Sequence, residues 1–401
     1  MSTGLAALFE RVAVKRLSLV EASPAHSNQR EFNGSSGLKE LFGTVSSRRR
    51  ARFIYLGDRD DDTISADGML SWYDARERHP TRSEFRLYYT PTPASERIVA
   101  GDTAFFIIRP DDTVLVVFAR EHSTAEEQLL WLFQVHAPGL QLQVRLVGDG
   151  DREIGFAVRC VLETLGVELP PAPVAEESAY DLLVSRYGHG FPSTAEFSTF
   201  ARELTADVSP LEDPDGALVT WLEREEALFR HLERHLLRER LQKGFADDVD
   251  AFLDFSLSVQ NRRKARAGRA LENHVQALLQ LHRIPHDRGR VTEGTSRPDF
   301  LFPSAASYRD PAFPASALRM LAVKSTCKDR WRQILAEADR IQTKHLLTLE
   351  SSISVAQTDE MHSRSVVLVL PRELHETYAT TQRERLLTLA GFLQGVTESF
   401  S

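Results

Sequence analysis

The stretch that decides the reading is Arg297-Pro-Asp299-Phe-Leu-Phe-Pro-Ser304, followed by Met320-Leu-Ala-Val-Lys324 and Lys328-Asp-Arg330, with Glu337 beyond. The apolar runs at 298–302 and 318–324 are bounded and short, which predicts strands rather than buried helices. An acid at the end of one strand and a lysine at the end of the next would converge at one sheet edge. Glu337 is expected to face that edge from a helix over residues 331–342. Two carboxylates and an ammonium gathered in this way suit Mg²⁺, an oxygen-coordinated cation that orients water and neutralises charge growing on a phosphate. Asp299 and Glu337 would ligate it. Lys324 would polarise the attacking water or stabilise the pentavalent transition state. Spacing alone also fits a turn aspartate and a surface lysine, and by itself it favours that plainer reading.

Around this core the residues divide into those with distinctive chemistry and those without. Lys328-Asp329-Arg330 is a donor–acceptor–donor triplet: Lys and Arg donate to guanine O6/N7, and Asp accepts from cytosine N4 in the major groove. A solvated helix start with an aspartate cap is the alternative. Glu272 falls early on a helix expected over 265–282, where it could support a metal ligand or simply complement the helix dipole. Arg262-Arg263-Lys264-Ala-Arg266-Ala-Gly-Arg269 is the densest positive cluster and the expected local basic surface. His231 and His235 stand four apart, but the intervening Glu233 is misplaced for a zinc protease, so a solvated face alternating with Glu233 and Arg234 is expected. Gly148-Asp-Gly-Asp151 reads as a turn and Asp60-Asp-Asp62 as a loop, since neither carries the remaining ligands of a calcium site.

The chain has 401 residues, 42% hydrophobic and 26% charged, with a net charge of −8. That length exceeds one compact core and implies two or three domains. The negative balance does not advertise a nucleic-acid binder, so any DNA contact must rest on local basic surface. Two cysteines, Cys160 and Cys327, lie far apart without zinc spacing, which argues against a disulfide framework or a structural zinc. The apolar start is broken by Glu10 and Arg11, too short for a signal sequence. No segment reaches the roughly 18–20 apolar residues of a membrane span. A cytoplasmic protein is expected.

Residues 1–168 read as mainly β, with strands near 51–56, 84–89, 103–108, 113–118 and 141–147. The Arg109-Pro-Asp-Asp112 turn joins the third and fourth as a hairpin. Small β-domains of this kind often close into partial barrels. A proline-rich linker is expected over 169–178. Residues 179–401 then turn to helices and an α/β sheet. Ser193-Thr-Ala-Glu196 has capping-box spacing, helices are expected over 247–260 and 265–282, and further strands near 344–349 and 366–370.

The block over 256–361 resembles the catalytic domain of EcoRII-type restriction endonucleases. The resemblance is carried by Ser258-Val-Gln-Asn-Arg-Arg-Lys-Ala-Arg-Ala-Gly268, by Arg297–Ser304 and by Met320–Leu335 with Glu337-Ala-Asp-Arg340. That family is a branch of the PD-(D/E)xK nucleases in which the second motif acid has moved. Val323 stands where the usual acid precedes the lysine, and Glu337 resembles its relocated replacement.

The resemblance implies a type II, two-site (type IIE) enzyme with an α/β restriction-endonuclease-like catalytic domain. Asp299, Lys324 and Glu337 would be its catalytic and metal-binding residues, Glu272 the supporting helix acid and Tyr308 an active-site neighbour. Lys328, Asp329 and Arg330 would read the outer C·G pairs of a CC(A/T)GG-like site in double-stranded DNA. A homodimer, a flipped central pair and a cognate DNA methyltransferase partner are implied as well.

The first 168 residues resemble more weakly the family's effector-binding β-pseudobarrel. The matching pieces are Gly37-Leu-Lys-Glu-Leu-Phe42 and Tyr88-Tyr89, with Glu96 and Arg97 in the following loop as candidate contacts to a second DNA copy. That loop is less basic than the family pattern. Two rival readings are a DNA-binding regulator on a retired nuclease core and a repair nuclease on the same core. Incubation of DNA with Mg²⁺ separates the first from an enzyme, and a neighbouring methyltransferase gene separates the second.

Overall fold

The computed structural model describes residues 4–22, 31–57, 62–148, 155–164, 167, 177–205, 207–327 and 330–400. Contacts divide the chain into two units, one of residues 1–167 with 351–358 and the other of 168–350 with 359–401. The expected linker over 169–178 lies almost wholly outside the described residues, as do Asp60, Asp61, Asp149 and Asp151.

The first unit is built on one eight-stranded sheet. Its strands are β1 (Arg11–Arg16), β2 (Glu31–Asn33), β3 (Ser47–Leu56), β4 (Ile64–Asp74), β5 (Phe85–Tyr89), β6 (Thr103–Ile108), β7 (Val114–Ala119) and β8 (Gln143–Leu146). They lie in the order β2-β5-β4-β3-β7-β6-β1-β8. The expected hairpin forms: β6 and β7 pair antiparallel, Thr103 opposite Ala119, and every residue of both is buried. Phe32 of β2 stacks edge-on against Phe106 of β6 at 5.2 Å, although four strands separate β2 from β6 in the sheet. The sheet therefore curls around one aromatic core, the partial-barrel geometry expected of a small β-domain.

In the second unit a five-stranded sheet runs β13-β12-β11-β10-β9, with β9 at Asp287–Arg288, β10 at Phe300–Phe302, β11 at Arg319–Lys324, β12 at Lys344–Thr348 and β13 at Val366–Val369. Strands β11, β12 and β13 are parallel, whereas β10 runs against β11. Burial on both faces explains the unbroken apolar run of β11. Among the helices of this unit are α1 (Thr194–Glu203), α2 (Pro214–Lys243), α3 (Val249–Leu281) and α4 (Leu389–Glu398). The capping box at Ser193 and Glu196 opens α1. Leu271, Val275, Leu278 and Leu279 of α3 pack with Phe300, Leu321, Val323, Leu347 and Phe392 into the core beneath the sheet.

Three expectations are corrected here. Residues 247–260 and 265–282 are not two helices; α3 is one helix of 33 residues. The supposed solvated face around His231 is partly interior, because Glu233 is buried and paired with Arg263 at 2.6 Å. The Arg262–Arg269 run is consumed largely in packing. Arg266 is buried, bonds Glu225 and Glu226 and lies over the Phe229 ring, while Arg262 covers Phe191. Only Lys264 and Arg269 of its cations are exposed. Burying a guanidinium requires this set of acids and rings, so most of the run is not a DNA surface.

Candidate active site

Because β10 is antiparallel to β11, the residue just before β10 stands beside the last residues of β11. Phe300 is opposite Leu321, so the same register puts Asp299 opposite Ala322, one residue short of Val323 and two short of Lys324. The Oδ2 of Asp299 accepts the Val323 N–H at 2.7 Å and the Lys324 ammonium at 2.8 Å. Its Oδ1 has no hydrogen bond among the described residues. The backbone oxygen of Asp299 accepts from Gly289 at 3.0 Å. Gly289 has φ +60°, a left-handed turn that lets the chain leave β9 beside this acid. Asp299 and Lys324 are thus fixed by the ladder itself, as their spacing predicts.

Glu337 arrives differently, and here the expected helix is corrected. A 3₁₀ helix covers Arg330–Ala336, anchored by buried Trp331 and Ile334. It stops there, the Glu337 N–H closing on the Ile334 carbonyl at 3.0 Å, and Ala338 turns left-handed at φ +51°. Glu337 sits in the bend after this helix, half-buried. Burial raises its carboxyl pKa above the usual range; the Lys324 ammonium pulls it down and the Asp299 carboxylate pushes it up. All three charges are within electrostatic reach of one another. The Glu337 carboxylate has no hydrogen bond among the described residues. A half-buried carboxylate beside a second one offers hard oxygen donors, and such donors suit a divalent ion. Val323, directly before Lys324, is an apolar core residue only 4% exposed.

The other candidates have partners of their own. The Glu272 carboxylate is held by Arg288 at 2.7 Å, and Arg288 also binds Asn273 and Gln276 and lies over the Phe300 ring. Glu272 thus meets the β9–β10 edge through Arg288. Tyr308 is buried; its hydroxyl donates to Glu293 and accepts from the Arg340 N–H at 3.2 Å. It anchors the chain just past Glu337. Arg330 is exposed at the start of the 3₁₀ helix, its N–H on the Cys327 carbonyl at 2.6 Å, while Lys328 and Asp329 lie outside the described residues. Glu96 and Arg97 are both exposed in the loop after β5, in the other unit. Sequence reasoning did not pick out Lys344, Glu293 or Arg340, all of which touch the Glu337 segment or its supports. Only a buried lysine opening an apolar strand could have signalled the first.

Residues 229–393 match the family model described as EcoRII C terminal. Over 395 residues the chain is 42% identical to the type II restriction enzyme EcoRII of Escherichia coli, spanning 96% of this chain and 94% of that one. The chain belongs to the EcoRII family. As an EcoRII-family protein it is a type II restriction endonuclease. The type II restriction enzyme SsoII of Shigella sonnei is 24% identical over 155 residues, 36% of this chain and 50% of that enzyme. Among solved structures, metal-depleted Ecl18kI in complex with uncleaved, modified DNA aligns at 20% identity with a TM-score of 0.45, over 58% of this chain and 85% of that one. The restriction endonuclease PspGI–substrate DNA complex aligns at 16% identity with a TM-score of 0.43, over 52% and 93%. The described residues of this EcoRII-family chain include no helix long and apolar enough to cross a membrane.

Proposed function

We propose that the chain cleaves double-stranded DNA at a CC(A/T)GG-like site by Mg²⁺-dependent hydrolysis. The observation that carries the reading is the unpaired, half-buried Glu337 carboxylate set against the Asp299–Lys324 pair. Asp299 and Glu337 would hold Mg²⁺, which when bound supplies an oriented, acidified water and neutralises phosphate charge. Lys324, tied to Asp299 at 2.8 Å, would donate from Nζ to a non-bridging oxygen as negative charge grows there. The water oxygen would bond to phosphorus, releasing a proton to solvent, as the P–O3′ bond breaks and O3′ takes a proton from solvent, leaving a 5′ phosphate and a 3′ hydroxyl. Glu272 and Tyr308 would act as supports, through Arg288 and Arg340 respectively. Arg330, with Lys328 and Asp329, would read the outer C·G pairs, four to six residues past the lysine that meets the phosphate.

On this reading residues 1–168 form an effector domain in which Glu96 and Arg97 meet a second DNA copy. Residues 169–178 are a linker and 179–401 the catalytic domain. A homodimer is supported by an exposed apolar stripe on the first turns of α3, formed by Val249, Phe252, Leu253 and Leu257. Monomeric surfaces rarely leave such a patch open. A cognate DNA methyltransferase and a cytoplasmic location complete the proposal. The test is digestion of plasmid DNA of known sequence with Mg²⁺, followed by sequencing of the ends. Discrete ends at CC(A/T)GG-like sites are expected. Intact plasmid, or random ends, would reject the reading.

A further inference from the structure

Asp299 and Lys324 are held by a β-ladder, but Glu337 is not. Residues 337–340 belong to no helix or strand, and a side chain there has only its own backbone to aim it. Each peptide group of this short segment is nevertheless tied down from outside. Ser296 Oγ donates to the Ala336 carbonyl at 3.2 Å. The Lys344 ammonium donates to the Glu337 and Ala338 carbonyls, at 2.5 and 2.7 Å. The Tyr308 hydroxyl receives the Arg340 N–H, and the Arg340 guanidinium closes on the carbonyls of Asp310 and Phe313 at 2.9 and 2.7 Å.

Lys344 is the centre of this arrangement. It opens β12 and is only 5% exposed, its N–H bonded to the Ser365 carbonyl at 3.0 Å. Burial pulls its pKa down, while the carboxylates of Asp339, Glu293 and Glu337 oppose that shift. A buried ammonium is costly unless its protons are used and its charge is matched. Here two protons go to consecutive carbonyls, one of them belonging to a residue at φ +51°. A left-handed alanine is strained and persists only where its surroundings hold it.

We infer that Lys344 is a positioning residue for cleavage: by gripping the Glu337 and Ala338 carbonyls it aims the relocated acid at the metal. The inference rests on the reading of Glu337 as a metal ligand. An acid on a strand needs no such grip, because the ladder fixes it. Once the acid lies in a bend, a buried cation under its peptide does the same task. Ser296 and Tyr308 share it at the flanking peptides.

The test uses the full chain bound to its own digestion products, with Mn²⁺ as the probe and free Mn²⁺ followed by electron paramagnetic resonance, DNA-only binding subtracted. Wild type is compared with Glu337→Gln, Lys344→Met, Lys344→Arg and Ser296→Ala. Lys344→Met should weaken Mn²⁺ binding about 10–100-fold, the range for groups that orient ligands. Lys344→Arg, which keeps charge and donors, should recover most of that loss. The Lys344→Met, Glu337→Gln double variant should bind no more weakly than Glu337→Gln alone.

Mn²⁺ binding by Lys344→Met equal to wild type, with Glu337→Gln weakened, would overturn the positioning role and leave the ligand reading standing. Unchanged binding by Glu337→Gln would overturn both. If Lys344→Met fails to fold, Ser296→Ala carries the test. It removes one half-exposed hydroxyl, and a raised Mg²⁺ midpoint for cleavage with unchanged thermal stability is expected. A lowered stability with an unmoved midpoint would mean a structural role only, and would overturn the inference.

Discussion

Replacing Asp299 separates its structural from its chemical work, because one oxygen does the first and its charge the second. Asp299 Oδ2 takes two donors, the Val323 N–H and the Lys324 ammonium. Asp299→Asn keeps an oxygen for the amide but removes the charge; Asp299→Ala removes both. The orphaned Val323 N–H in Asp299→Ala costs about 1–3 kcal/mol. Lys324, about a fifth exposed, can turn to water, and a pair at that depth contributes roughly 0–1 kcal/mol. Alanine should therefore be less stable than asparagine by about 1–3 kcal/mol. Cleavage should fall by more than about 100-fold in both, since losing a metal ligand removes several kcal/mol of transition-state stabilisation.

Binding of uncleaved DNA in chelator should be equal or tighter in both variants, because a carboxylate facing a phosphate is gone. Urea unfolding, plasmid cleavage with Mg²⁺ and filter binding in chelator measure the three quantities. Cleavage by either variant within about tenfold of wild type would refute the site. Equal instability of the two variants would refute the assignment of Oδ2 to the Val323 amide.

Two further outcomes follow from particular side chains. Arg330→Ala should lose about 1–3 kcal/mol of discrimination at one base pair, measured by competition among duplexes with single changes; uniform weakening on every duplex would make Arg330 a phosphate contact. His345 on β12 has its imidazole pKa lowered to about 4 from 6.5, first by burial and then by Arg319. The folded state then binds fewer protons than the unfolded one, so stability is full above pH 6.5 and is lost as pH falls towards 4. The expected loss between pH 7 and 5 is roughly 1–2 kcal/mol. His345→Phe, which keeps the ring contact with Phe392, should flatten that slope in urea titrations; an unchanged slope would place the acid sensitivity elsewhere.

The parts legible in the sequence are those whose pattern and geometry coincide. Strand β11 is apolar because both faces are covered, and Asp299 and Lys324 converge because β10 runs against it. The misreadings have physical causes. Trp331, Ile334, Ala338 and Ile341 repeat at intervals that a 3₁₀ turn and an α-helix share over so short a span. The left-handed turn at Ala338 cannot be read from an alanine.

The break expected inside α3 falls at residues 261–264, a polar and charged stretch that interrupts the apolar period without ending the helix. Strand β4 escaped notice because Gly68 interrupts its pattern. A Cβ there would lie 2.8 Å from Cε2 of the Phe53 ring, so the gap is a packing requirement rather than a turn. The arginine run looked like a DNA surface because its partners, Phe191, Phe229, Glu225 and Glu233, are distant in sequence. Linear charge density does not say which way a side chain faces.

The apolar core at Val323 makes the arrangement of the acids hard to reverse. Val323 packs with Phe300, Leu347 and Phe392 beneath the sheet. Restoring a carboxylate there would bury an ionised group, costing several kcal/mol before any metal arrived. A carboxylate at 337 meets no such penalty, because that position lies in a half-buried bend. On the proposed reading, the valine decides where the acid can stand: the bend at 337 accepts a charge that the strand interior at 323 would have to bury.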